Sequence, residues 1–232
     1  MNVYLNEISG VPDALVSMYM SKRTWTPELD REIRESWNDY SKGYCMSSSL
    51  SSRLASFCKF AWKHTTMLDF ITISVTVEGL HRAGQDDWDA HACRYNNRII
   101  RSSTRLADFT ADEMSDYYKG KIIPTEVMLK AFNITLPYEI EVDGKKFVQT
   151  AGGYIREDLK DNRDVKRGLY RLCVPSNFIF KCNLAQWAHV YKLRNEKGTA
   201  NPEVKELAEK IQDLVEHELS WFNREFMQKV EI

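Results

Sequence analysis

The 232 residues lack most of the features that classify a chain at sight. Lysine plus arginine numbers 32 and aspartate plus glutamate 33, a formal net charge of -1. That leaves no surplus for a broad nucleic-acid or membrane surface, although a local basic pocket fits the balance. Ten glycines and six prolines are scattered, and no Gly/Ser/Pro-rich linker divides the chain. One domain over residues 1–232 is therefore expected. No apolar run approaches the length of a membrane span, and the N-terminus lacks the basic-then-apolar order of a secretion signal. The five cysteines, at 45, 58, 93, 173 and 182, form no CxxC pair. An odd set without pattern suits reduced, mostly buried thiols in a cytoplasm. The five histidines, at 64, 81, 91, 189 and 217, show no HxH or HxxxH spacing, so no metal site is expected. No glycine-rich phosphate loop and no GxSxG elbow is present, so nucleotide binding through a P-loop and Ser/His/Asp catalysis lose their anchors.

Hydrophobic residues make up 43% of the chain and aromatics 12%, enough for a packed core. "NVYLNEIS" reads as a short strand or an irregular start. "TPELDREIRESWNDYSK" reads as a helix with Thr26 as N-cap and Pro27 just inside it. "SSLSSRLASFCKFAWKH" carries Leu50, Leu54, Phe57, Phe60 and Ala61 at helical spacing. "MLDFITISVTVEGL" changes period and reads as the central strand. "YEIEVDGKKFVQT" reads as a hairpin turning at Asp143-Gly144. "ADEMSDYYKG" and "TEVMLKAF" suggest short helices. From Asn201 and Pro202 a long helix is expected to carry one apolar stripe through to Phe222 and Phe226. The fold class is α+β, a small antiparallel sheet flanked by helices.

Two polar features remain. "KCNLAQWAHVYKLRN" reads as an amphipathic helix. It sets Asn183 and Arg194 on one stripe, because eleven steps of about 100° return to nearly the same face, roughly 16 Å further on. Arg94, Arg98, Arg101 and Arg105 fall within "CRYNNRIIRSSTR" among Asn, Ser and Thr, and Arg171 precedes "LCVPSN". Guanidinium forks, amides and hydroxyls are the groups that bind phosphate. The acidic run Asp86-Asp87-Trp88-Asp89 reads as a solvated surface.

Four segments, in order, resemble the flavin-dependent thymidylate synthases. "HTTMLDF" is similar to the family's His-x-Ser/Thr segment before its central strand. "VEGLHRAG" is similar to the strand end that leads to its Arg-His-Arg signature. "YRLCVPSN" is similar to its Ala-Arg-x-x-Leu-Pro segment. "NLAQWAHVYKLRNEKGTANPEVKELA" is similar to its Asn-x-Arg, Leu-Arg, Ala-Gln-x-Glu-Ile run, with Asn183, Leu193-Arg194, Ala200 and Glu203-Val204 in step. Residues 111–160 match poorly, and the "EVDGKK" hairpin looks like an addition or replacement.

The resemblance implies a cytoplasmic homotetramer holding FAD at subunit interfaces. It implies one-carbon transfer from methylenetetrahydrofolate to C5 of dUMP, with NADPH as reductant. It places His64, Thr66, His91, Asn183 and His189 along the flavin. Ser103, Arg105, Arg171 and Arg194 fall on the nucleotide, with Arg194 the catalytic candidate. The signature itself departs from the family. Counting forward from Arg82 puts it at Ala90-His91-Ala92, while counting back from Ser103-x-Arg105 puts it at Cys93-Arg94-Tyr95. Ala185 stands where the family has an arginine, and Asp69 and Phe70 replace Glu and His. Two other readings stay open: another pyrimidine nucleotide as substrate, for example in hydroxymethylation, and a non-catalytic nucleotide-binding or assembly protein that kept the fold.

Overall fold

The structure, a computed structural model, describes residues 1–92, 98–101, 114–123, 125–150, 152–162, 165, 167–169, 172–195 and 201–230, with backbone alone at 90–92, 98–99 and 167. It divides into two compact units. One comprises Val3–Thr76, Trp88–Ile99 and Ile179–Ile232; the other comprises Met1–Asn2, Val77–Asp87 and Ile100–Phe178. The elements are β1 (Asn2–Ser9), α1 (Val11–Ser21), α2 (Pro27–Ser41), α3 (Ser48–Ala61), a 3-10 turn (Thr65–Phe70), β2 (Thr72–His81), α4 (Arg82–Ala92) and β3 (Arg98–Arg101). They continue with α5 (Thr125–Ala131), β4 (Glu139–Val142), β5 (Lys145–Thr150), β6 (Gly153–Arg156), β7 (Pro175–Asn183), α6 (Leu184–Asn195), α7 (Pro202–Glu218) and α8 (Arg224–Lys229). Strands run β1-β2-β7-β3 in one sheet and β4-β5-β6 in a second. Mixed helix and small antiparallel sheets is the class expected from sequence.

In the first unit, β1 lies antiparallel to β2. Asn6 donates to the Thr76 hydroxyl at 2.9 Å, and the Ser9 and Thr72 hydroxyls meet at 2.8 Å. Gly10 links β1 to α1 at φ 85°, where a Cβ would lie 1.8 Å from the Phe70 carbonyl oxygen, so only glycine fits. Helix α1 buries Val11, Ala14, Leu15 and Met18 and packs on α2, α3 and the 3-10 turn. Thr26 and Ser47 cap α2 and α3 through the amides of Leu29 and Leu50. Each large apolar side chain fully buried there contributes about 1.5–3 kcal/mol.

The long C-terminal helix expected from Asn201 to Phe226 is two helices. Asn201 and Pro202 start it as expected, with the Asn201 side chain accepting from the Glu203 amide. The chain then leaves helical geometry at Leu219, at φ -120° and ψ 74°. Gln212 Nε2 donates to the Phe222 carbonyl at 2.9 Å and fixes the turn back, and Asn223 caps α8. Leu219, Phe222 and Phe226 are still buried, so the apolar stripe is real while its continuity as one helix is not.

In the second unit, Asp143 and Gly144 take φ 50° and 69°, the paired positive values of a type I′ turn, and close the expected hairpin of β4 on β5. Val142 pairs with Lys145 and Glu139 with Val148; β6 adds antiparallel, with Phe147 opposite Arg156. Helix α5 forms within the stretch expected, but among residues 114–120 the second expected short helix is a turn. Tyr118 bonds back to Ser115, and Gly120, at φ 73°, stops the helix from propagating.

Candidate functional site

The 3-10 turn and α6 meet in the first unit, and five of the nine candidate residues lie on them or at their starts. The central strand was expected from residue 67, but Thr65–Phe70 winds as 3-10 helix before β2 begins. His64 sits at its start, exposed, with its ring against Phe60 at 4.5 Å. Thr66 is exposed one turn on. The turn packs on α6, and just beyond its end Ile71 accepts a 2.9 Å hydrogen bond from the Leu184 amide. That bond joins the segment of His64 and Thr66 to the start of α6, beside Asn183.

Residues 181–183 belong to β7 rather than to the helix, so α6 begins one residue after Asn183. The Asn183 side-chain Oδ1 accepts from the Gln186 backbone amide at 2.8 Å, so the side chain caps α6. This bond also orients the amide. With its oxygen committed to the helix, its NH2 is left as the donor.

Helix α6 is not amphipathic as expected. It buries Leu184, Gln186, Trp187, Ala188, Val190, Tyr191 and Arg194, which cover most of its circumference. Trp187 donates to Gln212 at 2.9 Å, tying α6 to α7, and its ring packs near Trp88. Ala185, His189, Lys192, Leu193 and Asn195 stay half open, and the first three, spaced by four and three residues, lie on one stripe. Arg194 is nine residues past Ala185, about 180° round, and is only 4% exposed. The expected helical stripe from Asn183 to Arg194 does not form as such: Asn183 ends β7 and is half-buried, while Arg194 is buried on the helix face opposite the open stripe.

The other four candidates are only partly placed. His91 lies on α4, with its side chain outside the described residues. Ser103, Arg105 and Arg171 lie outside the described residues altogether, as does Arg94. Of the arginine run, Arg101 is engaged by Asp86 at 2.7 Å, with Arg82 at 3.8 Å from the same carboxylate. The acidic run is therefore not simply a solvated face. Asp86 binds arginine, and Trp88 is buried against Phe180.

Sequence reasoning missed the polar core around α6. Gln212 is fully buried between Trp187 and the Phe222 carbonyl, and Glu203 is buried at the start of α7. The signal for Gln212 was present: it occupies an inward position between Ile211 and Val215 on an otherwise apolar stripe. Arg224, at the start of α8, donates to Glu209, Asp213, Glu216 and the Tyr191 hydroxyl, and Asp213 and Glu209 hold it above the usual arginine range. Burial, with Glu209, pushes the Tyr191 phenol up. A groove of about 690 Å³ follows β1 between α2 and the end of α7, and none of the candidates among the described residues lines it.

Residues 12–219 match the family described as thymidylate synthase complementing protein. The chain belongs to that family. No curated protein matches it. Among solved structures it resembles thymidylate synthase X (ThyX) from Helicobacter pylori with FAD and dUMP. The TM-score is 0.56 and the identity 12%, over 98% of this chain and 100% of that one. A second structure, flavin-dependent thymidylate synthase ThyX from the same organism complexed with FAD and dUMP, gives 0.58 and 11% over 97% and 99%. At such identities the likeness is one of fold. The matched range contains α6 and all nine candidate residues of this thymidylate synthase complementing protein family member.

Proposed function

We propose that the chain is a flavin-dependent thymidylate synthase acting in the cytoplasm. It would convert dUMP to dTMP with methylenetetrahydrofolate and NADPH, as a homotetramer. The observation that carries this reading is the family match over residues 12–219. In net terms C5 of the pyrimidine loses a proton and gains a methyl group, methylenetetrahydrofolate leaves as tetrahydrofolate, and NADPH is oxidised to NADP+. Bound FAD would supply the two-electron relay between NADPH and the transferred carbon.

The residues present fit such a cofactor in donor chemistry. The flavin ring offers carbonyl oxygens and ring nitrogens to hydrogen-bond donors. The Asn183 NH2, oriented by the helix cap, is a donor of that kind, and His189 lies on the open stripe of the same helix. Asn183, His189, His64, Thr66 and His91 would hold the flavin. Ser103, Arg105, Arg171 and Arg194 would hold the nucleotide, with Arg194 nearest the reacting base. A buried guanidinium orients a charged or carbonyl group more strongly than an exposed one, because the surrounding dielectric is low. His189, about 40° round the helix from Ala185, is the substitute for the family's missing arginine.

The test is to extract bound cofactor from purified protein, then assay mixed pyrimidine nucleotides with folate and NADPH by mass spectrometry. Mass gain on dUMP corresponding to one CH2 is the expected result. A hydroxymethylated product, or another base modified instead, would move the reading to a different pyrimidine substrate. Ala185 on the open stripe favours a second reading, a nucleotide-binding protein without catalysis. Colourless protein that binds dUMP without turnover would select it.

A further inference from the structure

We propose that the groove beside β1 takes an extended, lysine- or arginine-bearing peptide segment of another protein, which adds to the sheet as a further strand. The groove lies wholly in the first unit. Strand β1 is the outer strand of the order β1-β2-β7-β3. It precedes residues 12–219, so the family match does not reach this wall of the groove.

The lining shows which part of β1 is offered. Every residue from Val3 to Ile8 borders the groove. Successive side chains of a strand point to opposite faces. A groove lying on one face would touch alternate residues only, so this one follows the strand's edge. An edge strand turns half of its backbone N–H and C=O groups away from the sheet, where an added strand pairs with them. Natural chains ordinarily shorten or cover such edges. Here the edge strand is 8 residues long, and the ends of α2 and α7 stand beside it as walls.

Size and charge select the occupant. Six residues of strand span about 20 Å, at roughly 3.3 Å each. Spread over that length, 690 Å³ is a cross-section of about 35 Å². At a strand spacing of about 4.8 Å this leaves about 7 Å of depth, the room of one extended chain, whereas packed sheets need about 10 Å. Glu7 and Glu218 line the groove, and no lysine or arginine among the described residues does. Lys181 stands 3.9 Å from Glu7 and His217 3.2 Å from Glu218, exposed contacts that a peptide cation can replace. Trp37 and Tyr40 also line the groove, with ring centres 5.5 Å apart at 53°, and so does Tyr44, 66% exposed. Aromatic faces beside carboxylates attract lysine and arginine side chains. The same carboxylates repel a nucleic acid or an acidic peptide.

Fluorescence anisotropy of a labelled peptide of alternating lysine and valine, as long as β1, tests this on the whole protein. Saturable binding is the expected result. The same peptide N-methylated throughout keeps its charge but has no amide to donate to the strand edge, and should bind roughly tenfold or more weakly. Glu7→Lys/Glu218→Lys should also weaken binding of the unmodified peptide roughly tenfold, with unchanged circular dichroism. Hydrogen exchange needs no variant. In wild type, amides between Val3 and Ile8 should exchange more slowly with the peptide bound than without it. Any of four outcomes would overturn the proposal. They are no saturable binding of the basic peptide, equal binding of its N-methylated form, β1 amides that the peptide leaves unprotected, and equally tight binding of a glutamate–valine peptide or single-stranded DNA.

Discussion

Helices α5 and α6 are opposites. Helix α6 is packed around most of its circumference, and its polar groups have structural tasks: Asn183 caps it and Trp187 bonds to Gln212. Helix α5 buries nothing and faces its apolar residues outward. The first is packed within the single chain, and the second leaves Val127 and Met128 exposed. The difference follows the sequence resemblance: α6 lies in its most specific segment, and α5 lies in the stretch, 111–160, that matches poorly. One helix lies where the sequence is most similar to the family, and the other lies where it is least similar.

The contrast predicts a gradient of mutational effects on the single chain. Trp187→Ala should cost the most, about 3–5 kcal/mol, because it empties a fully buried site. Thermal melting against wild type measures it, and a loss under about 1 kcal/mol would mean that α6 is loosely packed. Gln212→Leu comes next. It strands the Trp187 N–H and the Phe222 carbonyl, each a buried group costing about 1–3 kcal/mol to leave unsatisfied. Denaturant unfolding should show a lowered midpoint with an unchanged slope.

Asn183 can be divided into its two roles. Asn183→Ala should lose about 1 kcal/mol with the cap. Asn183→Ser should keep most of that stability, since serine also caps, yet lose the NH2 donor and with it flavin affinity. If serine restored both, the amide would have no ligand role. At the other helix, Met128→Glu should change the melting temperature of the monomer very little, within about 0.5 kcal/mol, as for ordinary surface positions.

The smallest effect concerns thiols. Burial pushes the Cys58 thiol up to about 11 and raises Cys182 further, while Cys45 is exposed. Thiolate is the reactive form, so among the four described cysteines iodoacetamide at neutral pH should label Cys45 first. Peptide mapping would show the order, and early labelling of Cys182 would contradict its burial.

Local signals in the sequence carried well. Thr26-Pro27, Asn201-Pro202 and Asp143-Gly144 act within a few residues, and each does in the structure what its chemistry implies. Tertiary signals carried poorly. The stripe from Val204 to Phe226 keeps helical spacing across a turn, because burial needs only apolar residues and not an unbroken helix. The bond from Gln212 to Phe222 that makes the turn joins residues ten apart. Gln186 and Arg194 are polar by type, yet both are buried. For the site, helical spacing was carried back to Asn183, which instead ends β7 and caps the helix. Which direction faced the core depended on Trp187 and Tyr191 meeting α7, which no local pattern contains.

The central claim is that the open stripe of α6 at Ala185 and His189 lies along FAD. Fluorescence titration of FAD onto wild type and Ala185→Arg, with a melting curve for each, tests it most directly. The account predicts saturable quenching by wild type and tighter binding by Ala185→Arg, because a cation is returned beside an anionic cofactor. Absence of quenching by wild type, or unchanged affinity in Ala185→Arg together with a lowered melting temperature, would contradict it.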